Sequence, residues 1–237
     1  MKIAVIGASG NAGSRVTAEL ARRGHAVTAI ARNTEKIAAD ANVSAVKGDV
    51  LDQAGLARLI AGHDAAISSV HFTASEPVRL IAAAKESKVG RYLVVGGAGS
   101  LEVAPGVRLV TTAGFPVAYK AEAEKGAAFL DLLRAEKELN WTFLSPSALF
   151  TAGERTGKFR LGTDQLLTAG MRGKAGFPSR TSQLHSPTRS SARPISGSVL
   201  RLAIKAAGRR DPFACARPWR RAPPGDGRYC LSQPAAI

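Results

Sequence analysis

The sequence predicts an α/β fold built on a doubly wound parallel sheet, and three observations carry that prediction. Short apolar runs rich in β-branched residues alternate with stretches of helical spacing between residues 2 and 145. The first of these runs passes directly into a glycine-rich turn that opens the first helical stretch. The 237 residues suffice for one α/β domain with a substantial core and fall short of two full-sized domains.

The elements follow in order. Residues 2–6 form the first strand, and residues 15–23 show helical spacing with Val16, Leu20 and Ala21 on one side. Gly24 and His25 close that helix, and residues 26–31 read as a second buried strand ending at Arg32 and Asn33. A short strand around Ala45 and Val46, a helix over 53–61, a strand over 65–70, a helix over 76–88 and a strand over 92–95 continue the rhythm. Alternation at this spacing implies right-handed crossovers and a sheet covered on both faces. A Gly- and Pro-bearing segment runs from Gly96 to Pro116. An amphipathic helix over 119–138 follows, with Ala123, Ala127, Leu130 and Leu133 on its apolar face, and then a strand over 141–144 ending at Ser145 and Pro146.

The turn Gly7-Ala8-Ser9-Gly10-Asn11-Ala12-Gly13 carries the chemistry. Phosphate needs backbone N–H donors with no side chain in the way, and a helix start supplies unpaired amides and a favourable dipole. Gly7 permits the tight turn, Gly10 lets a pyrophosphate approach the backbone, and Gly13 lets the helix pack closely on the sheet. A strand–turn–helix context turns this glycine spacing into a dinucleotide site of Rossmann type. Arg32 ends the second strand, where an acidic residue would bind the ribose 2′-hydroxyl of NAD. A guanidinium there suits the 2′-phosphate, so NADP(H) is expected in preference to NAD(H). Asp49 follows the third strand and could accept from the adenine amino group or cap the next helix. The expected cofactor contacts are therefore Gly7, Ser9, Gly10, Asn11, Ala12 and Gly13, with Arg32, Asn33, Asp49, Val50 and Ser68 at the ends of the next three strands.

A net charge of +15 suggests nucleic acid until its distribution is inspected. Residues 1–174 carry 22 basic against 16 acidic residues, whereas 175–237 carry 11 basic residues against Asp211 and Asp226 alone. The latter segment also holds eight of the twelve prolines and no Glu, which marks a boundary near 170–175. The expected organisation is a nucleotide-binding domain over 1–170 and an irregular basic tail over 171–237, with no nucleic-acid partner. No run approaches the roughly 20 apolar residues of a membrane span, and no signal-peptide layout is seen, so a cytoplasmic location is expected. Cys215 and Cys230 match no metal or redox spacing.

Several segments resemble the atypical short-chain dehydrogenase/reductase group that includes NmrA-like proteins, biliverdin-reductase-B-like enzymes and bacterial NADH-flavin reductase-like proteins. They are GASGNAG at 7–13, IARN at 30–33, KGDVLD at 47–52, VVGGAGSLEVAPG at 94–106 and WTFLSPSALFTAGERTGKFRLGTDQLL at 141–167. The resemblance implies an NAD(P)H-binding protein that passes hydride to a flavin, quinone or similar small acceptor, or a redox sensor of NmrA-like type that binds NADP(H) without turnover. Ordinary short-chain dehydrogenases place a Tyr four positions before a Lys, so that the ammonium lowers the phenol pKa. Here Lys120 directly follows Tyr119 and position 123 is Ala, so the two side chains point about 100° apart. Tyr119, Lys120 and Ser100 are the candidate catalytic residues, Ser100 because it follows the fifth strand at the sheet edge where substrates sit. Packing at the helix start for Tyr119 and loop hydrogen bonding for Ser100 are the competing roles. His71 follows a strand at the same edge, with a solvated loop position as its alternative.

The group's sequences continue after "LL" with one more helix and a strand ending near Arg-Phe-Thr-Val-Gly-Tyr, which this chain lacks as read. Synonymous codons for Ser198 to Lys205 can be chosen as AGC GTT TTA CGG TTG GCT ATT AAG, and a shifted frame over them reads Arg-Phe-Thr-Val-Gly-Tyr-stop. The same shift over Ala175 to Arg193 permits Ser-Arg-Ile-Ser-Phe-Glu-Asp-Phe-Ala-Ile-Ala-Leu-Ala-Asp-Glu-Val-Glu-Arg-Pro. The expectation is an out-of-frame tail, with frame lost between residues 169 and 175. Sequencing the gene is expected to show the group's ending in a neighbouring frame, and a frame-restored chain to melt higher and stay more soluble than the 237-residue chain. Equal melting temperature and solubility for the two forms would count against it.

Overall fold

Alternating apolar residues in the short strands bury both faces of one sheet, and the periodicity is visible in the packing. In the computed structural model, which describes residues 1–148, 150, 160–167 and 228–232, β1 (Lys2–Ile6) sends Ala4 and Ile6 to one apolar cluster and Ile3 and Val5 to the other. The helix α1 (Asn11–Arg22) covers the second cluster through Val16 and Leu20. The chain then forms β2 (Ala26–Ala31), β3 (Val43–Lys47), α2 (Gln53–Ile60), β4 (Ala65–Ser68), α3 (Pro77–Glu86) and β5 (Tyr92–Val95). Leu56 and Ile60 of α2 and Leu80 of α3 pack on the first cluster. Tyr92 and Val94 join that cluster while Leu93 and Val95 join the other, which is the same period of two.

Beyond β5 lie a small antiparallel hairpin, β6 (Glu102–Ala104) and β7 (Val107–Arg108), the long helix α4 (Val117–Ala135), and β8 (Trp141–Ser145). The strands β9 (Arg160–Gly162) and β10 (Arg228–Ser232) complete a sheet of order β3-β2-β1-β4-β5-β8-β10-β9. All pairings in it are parallel except β10 with β9. The order reverses between β1 and β4, because β2 and β3 lie on one side of β1 and the later strands on the other. A crevice opens at such a point beyond the carboxyl ends of the strands.

Three aromatic rings hold the loops around that crevice. Phe72, from the loop after β4, stands edge-on to Phe129 of α4 at 6.0 Å between centroids and stacks with Phe143 of β8 at 6.3 Å. Phe129 and Phe143 meet edge-on at 6.3 Å. Gly126 admits Phe72, since a Cβ there would stand 2.8 Å from the ring. Gly96 does the same for Phe143, so the exits of β4 and β5 are packed against α4 and β8.

The expected elements are present, with shifted ends. The first helix begins at Asn11, within the glycine turn, rather than at 15, and the long helix begins at Val117, directly after Pro116. The hairpin β6–β7 falls inside a segment read as a connection, because its strands are two and three residues long and show no usable alternation. The proposed boundary at 170 and most of the basic tail, Cys215 included, lie outside the described residues. Arg228–Ser232 is the described part of the tail, and it forms a strand between β8 and β9 where an irregular course was expected. Replacing Phe129 by Ala is expected to cost about 3–5 kcal/mol of folding free energy, read from urea unfolding, since it removes the centre of the ring cluster.

Candidate functional site

The turn after β1 is built around one carbonyl oxygen. The amides of Gly7 and Ala8 both donate to the Ile30 carbonyl of β2, at 2.9 and 3.1 Å, which fixes the turn over the strand ends. Gly7 takes φ +81°, and a Cβ there would overlap the Ser69 carbonyl just beyond β4. A Cβ on Gly13 would overlap the Gly7 carbonyl, so α1 can start this close to β1 only through glycine. At Gly10 a Cβ would stand 3.3 Å from that same carbonyl. Ser14 makes the first intrahelical bond, donating to Gly10 at 2.9 Å, and the amides of Asn11, Ala12 and Gly13 precede it at the helix start. The first turn of α1 carries no acidic residue that would occupy those amides or repel an anion. This cradle fits the pyrophosphate of a dinucleotide.

Arg32 and Asn33 follow β2 directly and are exposed at its end. Asn33 Oδ1 accepts from the Glu35 amide at 2.9 Å, shaping the loop beneath Arg32. Asp49 makes an equivalent turn, accepting from the Leu51 amide at 3.0 Å. The helix-capping role open to Asp49 belongs instead to Asp52, whose Oδ1 accepts from Gly55 at 2.9 Å. Val50 packs partly buried against the first apolar cluster, and Ser9 and Ala12 are half-buried in the turn.

Ser68 departs from the sequence reading. Its side chain is buried in the core, with neither its hydroxyl nor that of Tyr92 forming a well-shaped hydrogen bond, although the two lie close. Burial pushes the Tyr92 phenol well above its ordinary range, and the neighbouring Ser68 hydroxyl opposes this only in part. The groups of this strand end that reach the turn are the Ser69 carbonyl and the Val70 side chain.

No hydrogen bond or ion pair joins the three candidate catalytic residues to one another. Ser100 is buried, donating to the Gly97 carbonyl at 3.2 Å and lying 3.3 Å from the equally buried Ser145 hydroxyl, so its bonds are those of a loop anchor. Tyr119 is 68% exposed in the first turn of α4. The Lys120 ammonium is also exposed, 4.0 Å from Glu124 one turn along the same helix.

A residue the sequence did not single out organises this side. Glu122 accepts from the amides of Phe72 and Thr73, at 2.7 and 2.8 Å, and from the Thr73 hydroxyl at 2.7 Å. Its donors lie 49 and 50 positions away, a separation that spacing along the chain cannot reveal. His71 Nδ1 stands 3.4 Å from the same carboxylate. Burial pushes the Glu122 carboxyl upward, but the Thr73 hydroxyl, the two amides and His71 outweigh it and hold the group below the ordinary carboxylate value.

A glycine turn at the reversal point of a doubly wound sheet, backed by unpaired helix amides, defines a dinucleotide-binding protein of Rossmann type. The chain belongs to the NAD(P)H-binding family whose sequence profile matches residues 7–174, and within it to the atypical short-chain dehydrogenases of NmrA-like kind. It is 38% identical over 175 residues to the uncharacterized protein YwnB of Bacillus subtilis, covering 70% of this chain and 82% of YwnB. Among solved structures, a Burkholderia pseudomallei protein provisionally called exported is 44% identical with a TM-score of 0.64, covering 73% of this chain and 84% of that one. A Streptococcus pneumoniae protein provisionally named an NADH-flavin reductase is 38% identical with a TM-score of 0.62, covering 72% and 83%. These likenesses make the chain an oxidoreductase-like member of the family. Among the described residues no helix is long and apolar enough to cross a membrane.

The Glu122 clamp gives a pH dependence of known sign. A carboxylate held below its unfolded value stabilises the fold above that value, 4.5, and loses its contribution as pH falls through the folded one. The melting-temperature advantage of the parent chain over Glu122→Gln is expected to shrink on going from about pH 7 to about pH 4 in thermal scans. A gap constant across that range would remove the carboxylate from the clamp.

Proposed function

We propose that the protein is an NADPH-dependent reductase that passes hydride to a flat small acceptor such as a flavin or quinone. The observation that carries this reading is Arg32, exposed at the end of β2 beside the glycine cradle, where NAD would call for a carboxylate. Asn11, Ala12 and Gly13 would hold the pyrophosphate through their amides, Arg32 and Asn33 the 2′-phosphate, and Asp49 and Val50 the adenine side. When bound, the dinucleotide supplies a hydride at its nicotinamide ring. The loops after β5 and β8 would hold that ring at the carboxyl edge of the sheet. A flat acceptor needs little help with protons, which suits a site where no hydrogen bond joins Ser100, Tyr119 and Lys120. The provisional name of the Streptococcus pneumoniae relative supports the same class of acceptor. A cytoplasmic location and a partner list without nucleic acid belong to this reading.

The lack of a hydrogen bond among Ser100, Tyr119 and Lys120 also favours a second reading, a redox sensor of NmrA-like type that binds NADP(H) without turnover. Consumption of NADPH with a panel of flavins and quinones separates the two, and tight binding with no turnover on any acceptor selects the sensor. Replacing Arg32 by Ala is expected to weaken NADPH binding about 10- to 100-fold while leaving NADH within about twofold, as loss of charge-assisted hydrogen bonds to phosphate requires. Fluorescence titration with both nucleotides checks this, and equal losses for the two would overturn the preference.

A further inference from the structure

Ser100, Tyr119 and Lys120 share no hydrogen bond, and the fold brings a further group, an imidazole, to the carboxyl edge of the sheet, with Tyr119 and Lys120 on the helix that faces it. His71 follows β4 by three residues, and the Ser69 carbonyl that seats Gly7 lies two residues before it. Phe72, next in the chain, is locked into the three-ring cluster, so the backbone presenting His71 is fixed although its side chain is 86% exposed. Glu122 faces His71 Nδ1 at 3.4 Å and is itself held by three hydrogen bonds. That leaves Nε2, on the far side of the ring, to meet a ligand. Among the other charged groups on the adjoining helix starts, Glu76 is paired with Arg79 at 2.6 Å, and Lys120 lies beside Glu124.

We propose that His71 is a catalytic proton donor to an oxygen-centred acceptor, a quinone or a carbonyl compound, with Glu122 as its positioning residue. The proposal rests on the reductase reading and narrows its acceptor. A flavin that has taken hydride is stable as an anion in water, whereas a reduced quinone or carbonyl oxygen gains from a proton delivered as charge develops on it. The acceptor receives a hydride, with its two electrons, from the reduced nicotinamide, which becomes NADP+. Its oxygen takes one proton from the His71 imidazolium, and solvent water restores that proton.

The test compares the full chain with His71→Gln and Glu122→Gln, using NADPH with a simple benzoquinone and with riboflavin. His71 is exposed, so His71→Gln is expected to keep the melting temperature and to bind NADPH within about twofold of the parent while quinone turnover falls about 100-fold and riboflavin turnover stays within about twofold. Glu122→Gln lowers the quinone kcat while the KM for NADPH and the riboflavin turnover hold, a split that a purely structural role for Glu122 would not produce. Independently of turnover, the His71 imidazole NMR resonance moves on saturation with NADP+, while that of His25, at the opposite end of β2, stays put. Quinone turnover unchanged in His71→Gln, or a His71 resonance unmoved by NADP+, overturns the assignment and leaves the reductase reading standing. A parent chain that binds NADPH yet reduces no acceptor overturns the reductase reading, and the proton donor falls with it.

Discussion

The arrangement depends on a contact that only glycine allows: the backbone of α1 lies against the backbone of β1, with Gly13 on the Gly7 carbonyl and Gly7 on the Ser69 carbonyl. Three chain segments meet there backbone to backbone, with the Val70 side chain beside them. The contact sets how deeply the helix start sits at the reversal of strand order, and therefore how far its amides reach into the crevice. A methyl group at either position would push α1 outward and open the cradle. The two hydrogen bonds that Gly7 and Ala8 donate to the Ile30 carbonyl tie this turn to the strand that ends at Arg32.

The opposite wall is organised by different physics. There the loops after β4 and β5 are held by ring packing and by one carboxylate, which gathers two amides and a hydroxyl from a loop distant in sequence. Backbone contact makes the phosphate side rigid, while side-chain contact makes the far side adjustable by substitution. A fold that keeps one half fixed and lets the other vary is suited to one cofactor and many acceptors.

The period-two strands and the glycine turn were legible in the sequence because each is a local pattern. β1, β2 and β5 have the expected bounds, and Val16, Leu20, Leu130 and Leu133 are buried on the faces assigned to them. What the sequence concealed is tertiary. Ser68 and Ser100 sit at strand exits, yet their hydroxyls turn inward, because the direction of a side chain at a strand end is decided by neighbours on other elements. Asp52 rather than Asp49 caps α2, a difference of three residues that the polar run Lys47-Gly48-Asp49 did not signal. Glu122 looked like any solvated helix carboxylate. The ion pairs of Arg108 with Asp131 and of Arg134 with Asp164, which join α4 to the hairpin and to residues beyond β9, were equally invisible for the same reason.

Every residue of β8 is buried, and the neighbour at its outer side is β10, drawn from residues 228–232 and joined in parallel register from Phe143 to Ser145. A ladder of amides and carbonyls recognises extended backbone and little else. The place beside β8 is thus a slot with loose sequence demands, and the last strand of such a sheet is the one most open to exchange during evolution. A strand could be exchanged there while the glycine contact beside β1, four places away in the sheet, keeps its geometry.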